Sequence, residues 1–260
     1  MTGLLSEQGI SRTRELSDEI AIAMITCYGP NSESDHHRAV LAKDTIGSAI
    51  GFGYKIFVVD SGSSDEFLGS IERLGASVHV EKSMNYGEKR RRAIQLATDS
   101  EREIVVAMEA EKADFVKEIL TTTKLVFDGV ADLVVPRRKS IKSYPTAQQL
   151  AEPLGNLFWK ELTGYDLDIW FGPRVWNRDL SNYFLDYGGE HGDVWDSIFI
   201  PVMDAIVDGK RVVGVDVDYR HPQQQTEVEE QDLRFIRKRI IQLENLTDAM
   251  QKHYHECLGK

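Results

Sequence analysis

Glu103-Ile104-Val105-Val106-Ala107-Met108-Glu109-Ala110-Glu111-Lys112 is the stretch from which the fold is read. Ile104 to Met108 is an unbroken apolar run with no polar alternation, the pattern of a strand covered on both faces in a parallel sheet. Glu109 and Glu111 follow at once. Residues i and i+2 of a strand share a face, so both carboxylates can point into one crevice at the strand's carboxyl end. In open α/β sheets that edge is where ligands bind. Paired acids there can hold a divalent cation through oxygen, and the cation would neutralise a diphosphate. The alternative is a solvated strand end with two surface acids.

Upstream, Ala21–Cys27 reads as a first buried strand, broken by Tyr28-Gly29-Pro30-Asn31. Ser32 or Ser34 can cap a helix over about 33–50. Gly51-Phe52-Gly53 then lies after a helix and before a strand, the reverse of a dinucleotide-binding loop. Lys55–Val59 is a second strand, and Asp60-Ser61-Gly62-Ser63-Ser64-Asp65 leads into a helix over 65–74. Free N–H groups at a helix start favour anions. Asp60, an acid at the strand tip, suits a ribose hydroxyl or a base N–H better; an ordinary capped turn is the alternative. After a short strand at 77–80, a helix to about 97 begins near Asn85 and carries Lys89-Arg90-Arg91-Arg92. Lys89 is nearest the loop and can reach a diphosphate. A basic run on one helix points around it, so most of these residues are expected in solvent.

Downstream, the pattern predicts a helix over 113–127, a strand over 132–136 and a helix over 146–162. On the last, Gln148, Glu152 and Asn156 recur at spacing four, either lining a pocket or facing solvent. In Asp166–Arg178, Trp170 or Phe171 can stack on a sugar ring, and Gly172 before Pro173 and Arg174 permits close backbone approach to a ligand. Asp193 and Asp196 stand near the start of a helix reaching about 207. Either can serve as a general base toward an acceptor hydroxyl, and Asp193 can equally be a helix cap. A late strand over 211–219 ends at Arg220-His221-Pro222, where a neutral His221 imidazole can complete a cation site; the alternative is a structural histidine. One long amphipathic helix is expected over 229–255, with Leu233, Ile236, Ile240 and Leu243 as its apolar stripe, packed on the domain or on a second copy.

The totals narrow the function. The chain has 260 residues, 42% of them hydrophobic, enough for one large domain or two small ones. A net charge of −11 argues against a nucleic-acid partner. Cys27 and Cys257 are far apart and show no metal-binding spacing, consistent with a reducing, cytoplasmic setting. No apolar run approaches the length of a membrane span. The first 18 residues are polar and carry no secretory signal pattern.

Taken together, these motifs resemble, in order, nucleotide-diphospho-sugar glycosyltransferases of the GT-A type. Val58-Val59-Asp60-Ser61-Gly62-Ser63-Ser64-Asp65 resembles the V-V-D-D-G-S-x-D signature of the family-2 enzymes. Gly87-Glu88-Lys89 resembles their G-K-G stretch, and Met108-Glu109-Ala110-Glu111 stands where they carry L-D-A-D. Phe171-Gly172-Pro173-Arg174, Trp195-Asp196 and His221 follow the order found in mannosylglycerate and glucosyl-phosphoglycerate synthases.

The resemblance covers about residues 20–225. It implies an α/β fold with a mostly parallel central sheet, helices on both faces and a long C-terminal helix. It places a loose arm at 1–18, a catalytic domain at 19–225 and a helical extension at 226–260. It implies a nucleotide-sugar donor and a small-molecule acceptor, with Mg²⁺ or Mn²⁺ and a possible homodimer. Thr26, Tyr28 and Asp60 would line the nucleoside pocket, Lys89 would face the diphosphate, and Glu109 would lie near the donor ribose or sugar. Trp170, Gly172 and Arg174 would bind the acceptor, Asp193 or Asp196 would assist its hydroxyl, and Glu111 with His221 would hold the metal. Two departures stand out: glutamates replace both metal-motif aspartates, and Ser61 replaces the second aspartate of V-D-D-G. A non-catalytic nucleotide- or sugar-binding protein of the same fold is the alternative.

Overall fold

The computed structural model describes residues 16–29, 33–82 and 84–258. The expected arm therefore lies mostly outside the described residues, as does Ser32; Leu16 at its end is buried in the core. Seven strands form one sheet: β1 (Ile20–Thr26), β2 (Lys55–Asp60), β3 (Ser77–Val80), β4 (Ile104–Ala107), β5 (Leu133–Arg138), β6 (Arg174–Asn177) and β7 (Val212–Val217). Their order is β3-β2-β1-β4-β6-β5-β7. All pairings are parallel except those of β6, which runs against both β4 and β5.

The helices are α1 (Glu33–Gly51), α2 (Asp65–Leu74), α3 (Tyr86–Thr98), α4 (Ile119–Phe127), α5 (Thr146–Thr163), α6 (Ser181–Leu185), α7 (Asp196–Val207), α8 (Gln223–Glu230) and α9 (Leu233–Leu258). Alternate residues of the central strands feed two apolar layers. Ile20, Ile22, Val58 and Val106 pack with Ile46 of α1 on one side. Ala21, Ala23, Val59 and Val105 pack with Ile94 of α3 and Phe199 of α7 on the other. This double coverage is why the strands read as continuous apolar runs rather than as alternating ones.

Several expectations are corrected. The central strand stops at Ala107, so Glu109 and Glu111 lie on the turn after it and strand periodicity does not aim them. A 3-10 segment, Ala113–Glu118, precedes α4. The C-terminal stretch is two helices, parted at Gln231 and Asp232. The stripe expected on α9 holds only at Leu243, which packs against the core: Leu233, Ile236 and Ile240 are exposed, whereas Phe235, Gln242, Leu246 and Met250 face inward. On α5 the polar positions turn in. Gln148 and Glu152 are buried, and Leu150, Leu154 and Leu157 face outward.

The reversed strand positions the site. Arg174 opens β6 opposite Ala107, the last residue of β4. The chain therefore enters β6 at the edge where β4 leaves, which brings Gly172 against Glu109.

Candidate active site

Two abutting cavities open along the carboxyl edge of the sheet. The first, about 260 Å³, is lined by Thr26, Tyr28, Arg38, Lys89, Arg90 and Glu109, among others. The second, about 480 Å³, is lined by Lys112, Arg138, Gln148, Trp170, His221 and residues of α8 and α9. Arg38, Glu109, Glu111, Gly172, Trp195 and Lys238 border both, so the cavities meet at the two glutamates.

The first cavity is shaped by Asp60, which lies wholly inside the fold. Its carboxylate accepts from Thr26 Oγ1 at 2.7 Å, from the backbone N–H groups of Gly62 and Ser63 at 2.9 Å each, and from the Ser63 hydroxyl. Ser63 Oγ in turn accepts from the Tyr28 amide at 2.9 Å. Asp60 thus ties the end of β1 to the loop after β2, beneath the cavity that Thr26 and Tyr28 line. Ser61 accepts from Lys89 Nζ at 2.6 Å and so orients that ammonium. Lys89 and Arg90 are buried, contrary to the expectation of a mostly solvated basic run. Arg90 donates to the Val194 carbonyl and to Ser197 Oγ.

Asp193 and Asp196 fasten a loop. Asp193 is held bidentately by Arg91, at 2.5 and 2.9 Å, and this hydrogen-bonded pairing keeps its carboxyl below the usual range. Asp196 accepts from the Tyr187 hydroxyl and from the amides of Asp193 and Val194. Neither lines the two cavities; both are engaged in holding the loop before α7. That loop also explains Gly87, whose N–H donates to the Asp193 carbonyl at 2.9 Å. A Cβ on Gly87 would stand 1.8 Å from Asp193 Oδ1 and 2.7 Å from its backbone oxygen. Gly87→Ala should therefore destabilise the fold by about 1–3 kcal/mol, the usual cost of overpacking, read as a lower urea midpoint with an unchanged slope.

Glu109 lies over Gly172, where a Cβ would meet its carboxylate oxygens at 2.0 and 2.3 Å. Burial pushes the Glu109 pKa up, but Lys112 foremost, then Arg90 and Arg174, outweigh it, and the group sits below the ordinary range. The Lys112 ammonium is held among the rings of Phe171, Tyr219 and Tyr144 at 5.1, 5.1 and 5.8 Å. Burial would lower its pKa; Glu109 reverses this and raises it.

Glu111 Oε1 is paired with Arg38 Nη2 at 2.5 Å. His221 stacks on Tyr144 with ring centroids 4.4 Å apart, and its Nε2 is 3.5 Å from Glu229 Oε2. Burial lowers the His221 pKa, so the ring is neutral near pH 7. Glu111 and His221 face the same second cavity. With Glu109, however, they do not form a trio of ligand atoms within 4.8 Å among the described residues. Arg174 is fully enclosed and donates to the carbonyls of Ile169, Phe171 and Pro173; burial lowers its pKa to about 9. It shapes the turn that carries Gly172 and lines neither cavity. Trp170 does line the second cavity, edge-on to Phe199.

Arg38, Arg138, Glu229 and Lys238 carry no signal in the sequence, whereas Glu152 stands in the spacing-four stripe of α5. The first four lie on separate helices or at a strand end, with no spacing that links them. Several buried polar atoms around the second cavity lack a hydrogen-bond partner among the described residues: Trp170 Nε1, Gln148 Oε1, Arg239 Nε, His221 Nδ1 and Glu109 Oε2. Buried polar groups are as a rule satisfied, so this set marks a cavity built for a polar ligand.

No family model matches the chain, and no curated protein does. Solved structures do. A glucosyl-3-phosphoglycerate synthase from M. tuberculosis superposes with a TM-score of 0.62 at 16% identity, over 90% of this chain and 83% of that one. The same enzyme with uridine diphosphate gives 0.61 at 15%, over 89% and 82%. With Mn²⁺, uridine diphosphate and glucosyl-3-phosphoglycerate it gives 0.56 at 14%, over 88% and 82%. No helix of the described residues is long and apolar enough to cross a membrane. The sheet order, the single reversed strand and these superpositions together give this protein the GT-A fold of those transferases.

Proposed function

We propose that this protein transfers a sugar from a nucleotide-diphosphate donor to a small hydroxyl acceptor, with Mg²⁺ or Mn²⁺. The observation that carries the reading is the meeting of two polar cavities at Glu109, Glu111 and Gly172. The first cavity takes the donor, with Thr26 and Tyr28 toward the nucleoside and Lys89 and Arg90 toward the diphosphate. The second takes the acceptor, with Trp170 as a ring platform and Gly172 allowing close approach.

Glu109, Glu111 and His221 offer donors suited to a hard divalent ion, and their side chains would have to converge to hold one. Buried Glu109 Oε2 and His221 Nδ1 are unmatched, and carboxylate oxygen with neutral imidazole suits Mg²⁺ or Mn²⁺. Glu111 and His221 would hold the ion, and when bound it would neutralise the departing diphosphate. Lys89, Arg90, Arg38 and Lys238 add fixed positive charge where negative charge grows in the transition state. Glu109, held ionised, faces the junction where an oxocarbenium-like centre would be flanked by its carboxylate.

The Arg38–Glu111 pair gives the second reading its weight: a binding protein of this fold would keep that acid neutralised without a metal. Calorimetry with UDP- and GDP-sugars, with and without Mn²⁺, separates the two. Metal-dependent binding with slow donor hydrolysis is the expected result. Metal-independent binding with no turnover of any donor would mean a binding protein.

A further inference from the structure

Away from both cavities, α7 and α9 meet at a group of side chains that the proposed transfer does not use. His253 and Cys257 are four residues apart on α9 and therefore share one face. Asp204 of α7 faces them. Its Oδ1 is 2.7 Å from His253 Nε2 and 3.8 Å from Cys257 Sγ, and the three ligand atoms all lie within 4.8 Å of one another. The ring of His191, on the loop before α7, stands 5.7 Å from that of His253, edge to face, and its Nε2 is buried with no hydrogen-bond partner among the described residues.

We propose that Asp204, His253 and Cys257 bind a divalent transition metal of the zinc type, with His191 within reach as a fourth ligand. The ligand chemistry selects the metal class. A thiolate and an imidazole favour Zn²⁺ over Mg²⁺ or Ca²⁺, which take oxygen. A tetrahedral zinc shell, with bonds of about 2.0–2.3 Å, sets its ligand atoms roughly 3.3–3.7 Å apart. The present separations bracket that range, so an ion enters with small rotations of side chains on two helices already in contact. On binding, the thiol S–H is replaced by an S–Zn bond and the proton passes to the buffer. The ion would clasp the C-terminal helix, which walls the second cavity, to α7. It is separate from the ion of the proposed transfer, since no residue is shared. An Asp204–His253 ion pair alone is the rival account, and it requires no metal affinity and no part for Cys257.

The full chain, reduced and stripped by a chelator, is titrated with Zn²⁺ by calorimetry and with Co²⁺ by absorbance. In the Glu111→Gln/His221→Ala protein one equivalent should bind, with a thiolate-to-cobalt charge-transfer band that Cys257→Ser abolishes. Second-sphere changes at metal sites cost about 10–100-fold in affinity, so loss of a direct ligand in Cys257→Ser or His253→Ala should weaken Zn²⁺ by at least that. A Glu111→Gln/His221→Ala double variant should retain the site. Cys257→Ser, a near-isosteric change, guards against a variant that merely misfolds. Zn²⁺ binding that survives Cys257→Ser undiminished, that disappears in the Glu111→Gln/His221→Ala protein, or that is absent altogether would overturn the assignment.

Discussion

Arg138→Met should cost the protein about 3–5 kcal/mol of folding stability, the penalty for removing one partner of a buried ion pair. The Arg138 side chain is 2% exposed. Its Nε and Nη2 donate to Asp168 at 2.6 and 2.7 Å, and its Nη1 donates to Glu152 at 2.7 Å. Without it, two carboxylates are left inside the fold with the backbone N–H of residue 138, Gln148, Asn156 and the more distant Arg239 as their remaining partners. Total stability is of order 5–15 kcal/mol for a typical domain, so the loss is a large fraction of it.

The pH dependence identifies the cause. Burial pushes the Asp168 pKa up, but Arg138 more than reverses this and holds it below the ordinary range. The wild-type group therefore contributes stability above its unfolded pKa, near 3.9, and loses it as pH falls through the lower folded value. In the variant, burial acts without Arg138, the folded pKa rises above the unfolded one, and stability recovers as pH falls toward that value. Urea unfolding at pH 7.5 and 5.5 should show the deficit shrinking at the lower pH. A loss under about 1 kcal/mol, equal at both, would mean that the trio contributes little.

Glu111→Gln is the second large effect. It should lower kcat/KM for sugar transfer by about 10²–10³-fold, comparable to loss of one preorganised transition-state contact. It should also raise the Mn²⁺ concentration needed for half-maximal rate. Arg38 is paired with Glu111 and would compete with the ion for it. Its side chain is 40% exposed but that of Glu111 only 10%, so the pair is not a freely solvated one. Arg38→Ala should therefore shift Mn²⁺ affinity toward tighter binding while slowing transfer through loss of a cation at the diphosphate. Rates measured across a Mn²⁺ series for both variants test this. A Glu111→Gln enzyme with wild-type metal dependence would remove Glu111 from the metal site.

Most of the scaffold was legible because its strands are covered on both faces. Ile104–Ala107 and Lys55–Asp60 are apolar runs whose burial leaves no alternation to misread. β6 was not legible as a strand. Arg174–Asn177 is short, and its place between β4 and β5 depends on partners distant in sequence. The α5 stripe takes the pocket-lining one of its two placements, and the phase of α9 departs from the apolar pattern, for one reason. The second cavity needs polar walls, so Gln148, Glu152 and Gln242 turn in while leucines and isoleucines of the same helices face out. Asp60 and Gly87 were legible as motif members, but their work is holding loops. Arg38 carried no local signal: one arginine on α1 gains meaning only when the turn after β4 brings Glu111 to it.

The reversed strand also orders assembly during synthesis. β4 and β5 emerge first but are not neighbours; each must keep an edge open until residues 174–177 arrive to lie between them. The half β3-β2-β1-β4 can zip up early, whereas β5 and β7 join it only through this late, four-residue stitch. A nascent chain halted before residue 174 would therefore present the free edge of β4 and both edges of β5 at once, and that is the stage at which it is most exposed to misassociation.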